Sequence, residues 1–398
     1  MELKDIYEKF NSRDKFDKIK RRIKNNDILS EYYDYLADLY EKSERDVALF
    51  RKVKRIPLSL DSEKFRNKAQ NMRLCSKFWT IDYYRLQAVK DLKCVNLCHD
   101  KFCDACQNAL AVQRDRKYAP VLDSLFEKYN MYHAVFTVPN VPADKLQGTL
   151  DKMYTNIGYL VRILKGDAKI KDVPFMSYGF EGAIRSLEIT RNNGTNEFHP
   201  HFHCIFLFKR GAKRLWKRKN IINTYSFDNR DSDYKKLRYF SDFEVLLQKI
   251  WYLRYNGIKV TAGAIDTLKE GYSCIVEPCT RQKYKEVFKY ATKGLMKSEK
   301  DNPFGHFYDW LFLLFALHGR RMIQTYGILR CLKFEEKISL DAKVDEEYLE
   351  IIKKLHEIEC PERFFECLEV LEREGKKGLI TFISRSKIAE VLGKEYEK

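Results

Sequence analysis

The sequence lacks the features that mark membrane proteins, secreted proteins and nucleotide-driven motors. Its longest apolar run, Trp310 to Leu317, is far shorter than the roughly 18 residues that cross a bilayer. Its start, MELKDIYEKF, contains neither the basic nor the apolar segment of a secretory signal. The phosphate-binding pattern G-x-x-x-x-G-K-[ST] does not occur. These absences predict a soluble cytoplasmic protein that has no membrane partner and does not hydrolyse nucleoside triphosphates through a P-loop.

Internal repeats and long linkers rich in proline, glycine or serine are also missing. The 398 residues are expected to form two or three packing units, and the 44% that are hydrophobic can fill their cores. Eleven cysteines, an odd number in a chain without a secretory signal, favour free thiols or a metal site over a disulfide framework.

The chain has a large net positive charge, and this excess lies entirely in the residues before the tail. The net charge is +17, from 74 Lys and Arg against 57 Asp and Glu. Residues 333–398 hold 13 basic and 17 acidic side chains, a net of −4, so the preceding residues carry +21. A basic body with an acidic helical tail predicts a polyanionic partner such as a nucleic acid for the body alone. The alternative is a lysine-rich surface that is only well solvated.

Alternating and helical patterns together predict an α+β fold with antiparallel strands. The run YHAVFTVPN at residues 132–140 is typical of a strand that ends in a turn. Strands expected at 182–190 and 199–208 are separated by eight residues, which predicts a hairpin. A further strand is expected at 259–265. Helices are expected over residues 1–74, 144–165, 240–255, 281–297 and 307–322, and from about residue 345.

Three of the eight histidines lie within the run HPHFH at residues 199–203. Residues two apart share a face of a strand, so His201 and His203 can point at one ion. Glu188, on the preceding strand, adds a carboxylate to a donor set that suits Mn²⁺, Zn²⁺ or Fe²⁺, and Mg²⁺ if phosphate oxygens contribute. His199 is a candidate for orienting a ligand or contacting DNA. The alternative is a chance group of histidines on a surface strand.

A second motif, EVFKYATK at residues 286–293, places Glu286, Tyr290 and Lys293 on one stripe of the expected helix. A phenol, a carboxylate and an ammonium on one face can act as nucleophile, general base and charge stabiliser. The alternative is an ordinary amphipathic helix with a Glu–Tyr pair and a solvated lysine.

The third motif is a set of closely spaced cysteines. Cys98, Cys103 and Cys106 have the pattern C-x4-C-x2-C, which is typical of a structural zinc site that still needs a fourth ligand. Cys75, Cys94 and His99 are the candidates, and the alternative is a group of reduced core thiols. The remaining cysteines show no ligand spacing and are expected to be packing residues: Cys204, Cys274, Cys279, Cys331, Cys360 and Cys367.

In their order along the chain, the motifs resemble those of the replication initiators (Rep) of rolling-circle plasmids, the single-tyrosine branch of the HUH endonucleases. FTVPN at 136–140 resembles the family's first motif, HFH at 201–203 its His-hydrophobic-His motif, and LEIT at 187–190 the strand upstream of it. Glu286, Tyr290 and Lys293 match the catalytic-tyrosine motif. Further similarity lies in the cysteine set, in Cys75 with its SKFW continuation, and in RMIQTYGIL at 321–329.

The resemblance implies an HUH core, an antiparallel sheet flanked by helices, that nicks one DNA strand. Glu188, His201 and His203 would hold a divalent cation, Mn²⁺ or Mg²⁺. Tyr290 would attack the scissile phosphate, leaving a 5′-phosphotyrosine link and a free 3′-OH primer. Lys293 would stabilise charge, and Glu286 would assist the hydrolysis or strand transfer that ends the cycle.

The resemblance also favours Cys75 over Cys94 as the fourth ligand of a structural Zn²⁺. It implies a single-stranded or hairpin origin as the DNA partner, and a host helicase, single-strand-binding protein and DNA polymerase in the bacterial cytoplasm. A homo-oligomer is compatible with it. The expected division is an N-terminal helical basic region (1–74), a Cys-rich zinc module (75–125), an HUH nicking domain (126–300) and a C-terminal helical region with the acidic tail (301–398).

Three other classes compete with this interpretation. An HUH transposase or relaxase shares the chemistry, but a relaxase usually carries its tyrosine before its histidines, whereas Tyr290 follows His203. A non-catalytic zinc-containing DNA-binding protein explains the charge and the cysteines and leaves HPHFH unexplained. A 2-His-1-carboxylate iron oxygenase needs a small-molecule pocket for which the sequence gives no signal.

Overall fold

The computed structural model describes the chain in several separate segments. These are residues 13–41, 61–86, 89–173, 175, 178–192, 195–211, 218–223, 237–268, 274–288, 306–334, 356–357, 360 and 362–367. Within these segments, no helix combines the length and the apolar character that crossing a membrane requires.

Helices and strands alternate without a regular repeat. The helices are α1 (Arg13–Glu41), α2 (Ser62–Leu74), α3 (Asp104–Phe126), α4 (Ala143–Lys165), α5 (Asp242–Tyr255), α6 (Ala262–Thr267), α7 (Arg281–Phe288) and α8 (Phe307–Leu317). The strands are β1 (Phe78–Tyr84), β2 (Val89–Val95), β3 (Tyr129–Thr137), β4 (Phe180–Asn192), β5 (Glu197–Lys209), β6 (Arg218–Asn223), β7 (Leu237–Ser241), β8 (Cys274–Pro278), β9 (Ile323–Gly327) and β10 (Glu362–Cys367). A 3-10 turn, Ile328–Cys331, follows β9.

A five-stranded sheet forms the centre of the molecule, with the order β8-β3-β5-β4-β9 and antiparallel pairing throughout. Its longest strands, β4 and β5, form the predicted hairpin, in which Glu188 lies directly opposite His201. The fold prediction is therefore confirmed: the protein is α+β, with an antiparallel sheet flanked by helices.

The two faces of this sheet are covered differently. On one face Phe136, Phe202 and Phe206 are buried against α4, α5 and α8. On the other face Ile205 and Leu207 meet α3 and the short helix α7 in a smaller apolar cluster. Because side chains alternate along a strand, the odd-numbered residues of β5 lie on the face of the sheet that carries this smaller cluster. His201 and His203 extend the same row beyond the apolar part.

A second, three-stranded sheet joins the last described segment of the chain to the segment that follows α2. Its order is β10-β1-β2, so a strand from the acidic tail pairs with the segment that follows α2. The helical prediction for the tail from about residue 345 is wrong for Glu362–Cys367, which forms β10. The local sequence ERFFEC contains two adjacent phenylalanines, a residue type enriched in strands, and the hydrogen bonds of β1 select the extended form.

Two further predictions are wrong in detail. The segment expected as a strand at 259–265 contains instead helix α6, which begins where the Thr261 side chain accepts a hydrogen bond from the Ala264 N–H. The helix expected over 307–322 ends at Leu317, because Gly319 turns the chain with a positive φ of 68°. The helix α4 agrees with its prediction within one residue.

Candidate metal centres

The hairpin brings together the three side chains that the sequence singles out as metal ligands. Glu188 Oε2 lies 2.8 Å from His203 Nε2 and 3.3 Å from His201 Nε2. One donor atom from each residue lies within 4.8 Å of the other two, and each residue is partly exposed. We call these three residues the Glu–His–His group. A carboxylate and two imidazoles make a donor set that can hold a divalent ion.

The strand pattern explains this placement. Glu188 and His201 are direct cross-strand partners, and His203 lies two residues further along the same face. Phe202 points the other way into the core, where it is fully buried. At the same end of β4, Arg191 forms an ion pair of 2.6 Å with Asp309 on α8. This contact fixes the hairpin end against the helical layer.

The carboxylate of Glu188 is held in its ionised form. Burial alone would raise the pKa of Glu188, but hydrogen bonding and charge interactions with His201 and His203 outweigh it and hold that pKa well below its usual range. An ionised carboxylate between two imidazoles is the form in which Glu188 can bind a cation.

The remaining ring nitrogens of the two histidines also have partners. His201 Nδ1 lies 3.2 Å from the backbone carbonyl oxygen of His199. His199, a candidate for orienting a ligand, therefore contacts His201 through its main chain. His203 Nδ1 lies 3.1 Å from His133 Nε2 on β3. Contacts of this kind fix the orientation of imidazoles that bind metals through the other nitrogen.

His133 was missed by the sequence reasoning, although it lies in the strand that precedes FTVPN. Burial lowers the pKa of His133 to about 4, and the neighbouring His203 and Lys283 act in the same direction. The carboxylates Glu277 and Glu286 oppose this shift. The alternating pattern of β3 is the signal in the sequence that could have pointed to His133. Recognising His133 as a neighbour of the metal ligands also requires knowing that Val135 pairs with His203.

The second motif is described only in part. Glu286 lies on α7, and its carboxylate acts electrostatically on His133. Phe288, the last described residue of α7, is buried on the sheet face that carries His203. Tyr290 and Lys293 lie outside the described residues. Their position on one stripe with Glu286 therefore stays a prediction.

The cysteine set forms a compact four-cysteine cluster: Cys75, Cys98, Cys103 and Cys106. The Sγ–Sγ distances from Cys75 are 3.5 Å to Cys103 and 3.6 Å to Cys106. The distance from Cys98 to Cys106 is also 3.6 Å. Four thiolates bound at about 2.3 Å to a tetrahedral zinc ion would lie roughly 3.8 Å apart. The cluster therefore has the dimensions of a structural zinc site.

Three structural elements place the four thiols. Cys75 follows α2, and Cys98 lies in the loop after β2. Cys103 caps the N-terminus of α3, with its Sγ accepting a hydrogen bond from the Cys106 N–H. Hydrogen bonds with the Cys103 thiol, and then with the other two cluster thiols, lower the pKa of Cys75, while hydrogen bonds within the cluster raise the pKa of Cys98 and Cys103. A lowered pKa favours the thiolate that binds metal.

The structure brings Cys75 to the fourth position of the cluster. His99 donates its backbone N–H to the Cys106 sulfur at 3.3 Å, and its side chain is exposed. The side chain of Cys94 lies outside the described residues. Of the cysteines expected to be packing residues, Cys331 and Cys360 are exposed, so that prediction is wrong for both.

The cluster is tied to the N-terminal helices through Asp100. Its carboxylate accepts hydrogen bonds from the Tyr33 hydroxyl and the Lys68 ammonium, both at 2.9 Å. These contacts join α1 and α2 to the loop between Cys98 and Cys103. Burial raises the pKa of Tyr33, and the negative charge of Asp100 and the hydrogen bond to it act in the same direction.

Comparison with known proteins agrees with the motif pattern. A family model described as a replication protein matches residues 89–225. This segment contains the Glu–His–His group and three of the cluster cysteines, and it does not reach Cys75, Glu286 or Tyr290.

Two curated relatives are each named Protein rep. The one from Staphylococcus aureus is 28% identical over 116 residues, which cover 28% of this chain and 44% of the relative. The one from Streptococcus pneumoniae serotype 2 is 25% identical over 115 residues, which cover 28% of this chain and 33% of the relative. The chain thus spans less than half the length of these curated relatives. No solved structure matches it. The predicted resemblance to Rep replication proteins is confirmed.

Proposed function

We propose that this chain, a relative of plasmid Rep proteins through its central third, initiates rolling-circle replication by nicking one strand of an origin. The observation that carries the proposal is the Glu–His–His group, which lies on one strand pair inside the matched segment. The strongly basic body, with its net charge of +21 outside the tail, suits a single-stranded or hairpin DNA substrate.

The ligands for the catalytic cation would be Glu188, His201 and His203. A bound Mn²⁺ or Mg²⁺ would supply Lewis-acid polarisation of the scissile phosphate. Glu188 contributes the negative charge, and the two imidazoles contribute neutral nitrogen donors. Among the described residues the group offers three protein ligands, which would leave coordination positions for phosphate oxygens.

Tyr290 would be the nucleophile. Its oxygen forms a bond to phosphorus while the bond from phosphorus to the 3′ oxygen breaks, and the phenol proton ends on the free 3′-OH. Lys293 would stabilise the negative charge that develops on the phosphate. Because one phosphodiester replaces another linkage of similar energy, nicking needs no nucleotide cofactor.

Glu286 would act when the cycle ends. It would take a proton from water, whose oxygen then attacks phosphorus and releases Tyr290. Strand transfer to a 3′-OH is the alternative ending. The position of Glu286 on α7, close enough to act on His133 beside the Glu–His–His group, supports this role.

The four-cysteine cluster would hold a structural Zn²⁺ that fixes α2 and the loop after β2 to the start of α3. The cysteine separations and the burial of Cys75, Cys103 and Cys106 support this. The chain would work in the bacterial cytoplasm, and a host helicase, single-strand-binding protein and polymerase would unwind, protect and copy the DNA.

The test is incubation with single-stranded circular or hairpin origin DNA and Mn²⁺, followed by a denaturing gel. A protein–DNA band that survives detergent and disappears in Tyr290→Phe would support the proposal. Tyr284→Phe is the matched control, since Tyr284 lies on α7 six residues before Tyr290, and its substitution should leave the band unchanged. Retarded DNA on a native gel with no covalent band at any metal or origin tested would favour a non-catalytic DNA-binding protein.

A further inference from the structure

We infer that His133 is a positioning residue that fixes the ring of His203 for metal binding. The inference rests on the proposed role of the Glu–His–His group as a cation site. It adds a residue from β3, a strand that lies outside the hairpin carrying the three ligands.

The contact between the two rings is close and specific. His133 Nε2 lies 3.1 Å from His203 Nδ1, which is hydrogen-bond distance. The ring centroids are 5.3 Å apart with an interplanar angle of 19°, so the rings meet edge to edge in nearly parallel planes, as an in-plane nitrogen–nitrogen hydrogen bond requires. His133 is only 4% exposed, so surrounding side chains hold it in this position.

The position of the hydrogen on the His203 ring determines which of the two nitrogens donates the hydrogen bond. His203 Nε2 faces Glu188 at 2.8 Å and is the nitrogen available to a cation. A neutral imidazole that binds metal through Nε2 carries its hydrogen on Nδ1. That Nδ1–H therefore donates to His133 Nε2, and His133 keeps its own hydrogen on Nδ1. With a cation on Nε2, the pair would hold both the ring orientation of His203 and the tautomer that carries its hydrogen on Nδ1.

The two ligand histidines are supported in different ways. His201 Nδ1 faces a backbone carbonyl oxygen, which no side-chain substitution removes. His203 depends on a side chain from another strand, so its support can be tested by substitution. Outer partners of metal-bound histidines typically change metal affinity by about 10-fold to 100-fold when they are lost.

The experiment is a Mn²⁺ titration of the full-length chain followed by electron paramagnetic resonance of the free ion. Mn²⁺ prefers oxygen and nitrogen donors and so reports on the Glu–His–His group rather than on the cysteines. His133→Phe keeps the ring but removes the acceptor, and we expect Mn²⁺ affinity to fall about 10-fold to 100-fold. His133→Gln retains an acceptor and should recover most of this loss.

A purely structural role of His133 is distinguished by two further readouts. Met131→Ala removes a buried side chain from the same face of β3, so it should lower the melting temperature without changing Mn²⁺ affinity. In the adduct assay, His133→Phe should need more Mn²⁺ for half-maximal rate but approach the wild-type rate at saturating Mn²⁺.

The possible outcomes separate this inference from the proposed function. Wild-type Mn²⁺ affinity in His133→Phe, or equal losses in His133→Phe and Met131→Ala, overturns the positioning role alone. If the wild-type chain and Glu188→Ala bind Mn²⁺ equally, the cation site itself is wrong, and the inference falls with it.

Discussion

The Glu–His–His group and the four-cysteine cluster can each hold a metal ion, but they are built in opposite ways. Three of the four cysteines are at most 1% exposed, whereas the side chains of His201 and His203 are each 12% exposed. The cluster takes its ligands from helix ends and loops, and the Glu–His–His group takes its ligands from one strand pair. The cluster fills a tetrahedron, while the group offers three donors.

Under the proposed function, this difference would assign stability to the four-cysteine cluster and chemistry to the Glu–His–His group. A closed set of four thiolates stabilises the fold and leaves no position for substrate, whereas three donors at a partly open face leave room for one. The strands give the open set a rigid, pre-formed geometry, because cross-strand neighbours cannot move independently. Removing a ligand should therefore lower the stability of the fold at the four-cysteine cluster and the rate of adduct formation at the Glu–His–His group.

The largest effect is expected from Cys103→Ser. Structural Zn²⁺ in small metal domains contributes on the order of 10 kcal/mol of binding free energy that is also folding free energy. We expect loss of bound zinc, a much lower melting temperature and rapid proteolysis near α2 and α3. Zinc content by a colorimetric chelator assay and limited proteolysis would measure this, with Cys331→Ser as the exposed control. Full zinc content in Cys103→Ser would show that the four-cysteine cluster is not a closed zinc site.

His201→Ala should reduce adduct formation on the order of a thousandfold, equivalent to about 4 kcal/mol of lost Lewis-acid and positioning effects. The zinc content and the melting temperature should stay close to wild type, because the substituted side chain lies outside both apolar clusters. Initial rates of the covalent band would test this. His318→Ala, a histidine exposed after α8, serves as control. Loss of zinc in His201→Ala would show that the two sites are not separate.

Glu286→Ala should divide the catalytic cycle rather than stop it. Nicking should continue, while hydrolytic release of the covalent adduct slows about a hundredfold, because the group that takes a proton from water is missing. A pulse-chase gel that follows decay of the preformed adduct measures this step. The neighbouring Gln282→Ala changes an exposed side chain of α7 and should decay at the wild-type rate. Equal loss of nicking and release would instead place Glu286 in the first step.

The smallest effect concerns which thiols react with an alkylating reagent at pH 8. Burial raises the pKa of Cys204 and Cys279 to about 12, so only about one molecule in ten thousand carries either thiolate at that pH. Exposed Cys331 and Cys360 should react within minutes, and the cluster thiols should react only after zinc is chelated. Mass spectrometry of the labelled peptides counts the sites. Labelling of Cys103 in the zinc-loaded protein would argue against a closed cluster.

The sequence predicted the parts of the site that depend on local pattern. Alternation along β4 and β5 was enough to place Glu188, His201 and His203 on one face, because the three lie within a single hairpin. The position of His133 was not predictable in the same way. It depends on the register between β3 and β5, whose paired residues lie about 70 positions apart in the chain.

The errors in the fold have the same origin. The run of β-branched residues near Thr261 suggested a strand, but the capping hydrogen bond of Thr261 and the small residues after it favour α6. Strand β10 had no local partner at all, so the acidic composition of the tail dominated the prediction. Local propensity decides an element only where no distant segment competes for its hydrogen bonds.

The pairing of β10 with β1 also sets the order in which the protein can be completed during synthesis. The edge of β1 that β10 covers is made about 280 residues earlier than β10 itself. At roughly 5 to 20 residues per second, a ribosome needs about 15 to 55 seconds to reach the missing strand. Until then the hairpin of β1 and β2 exposes a free edge, the kind of surface on which strands of other chains can add. Early binding of zinc by the cysteines that flank this hairpin would hold its two strands in register while the last strand is still being made.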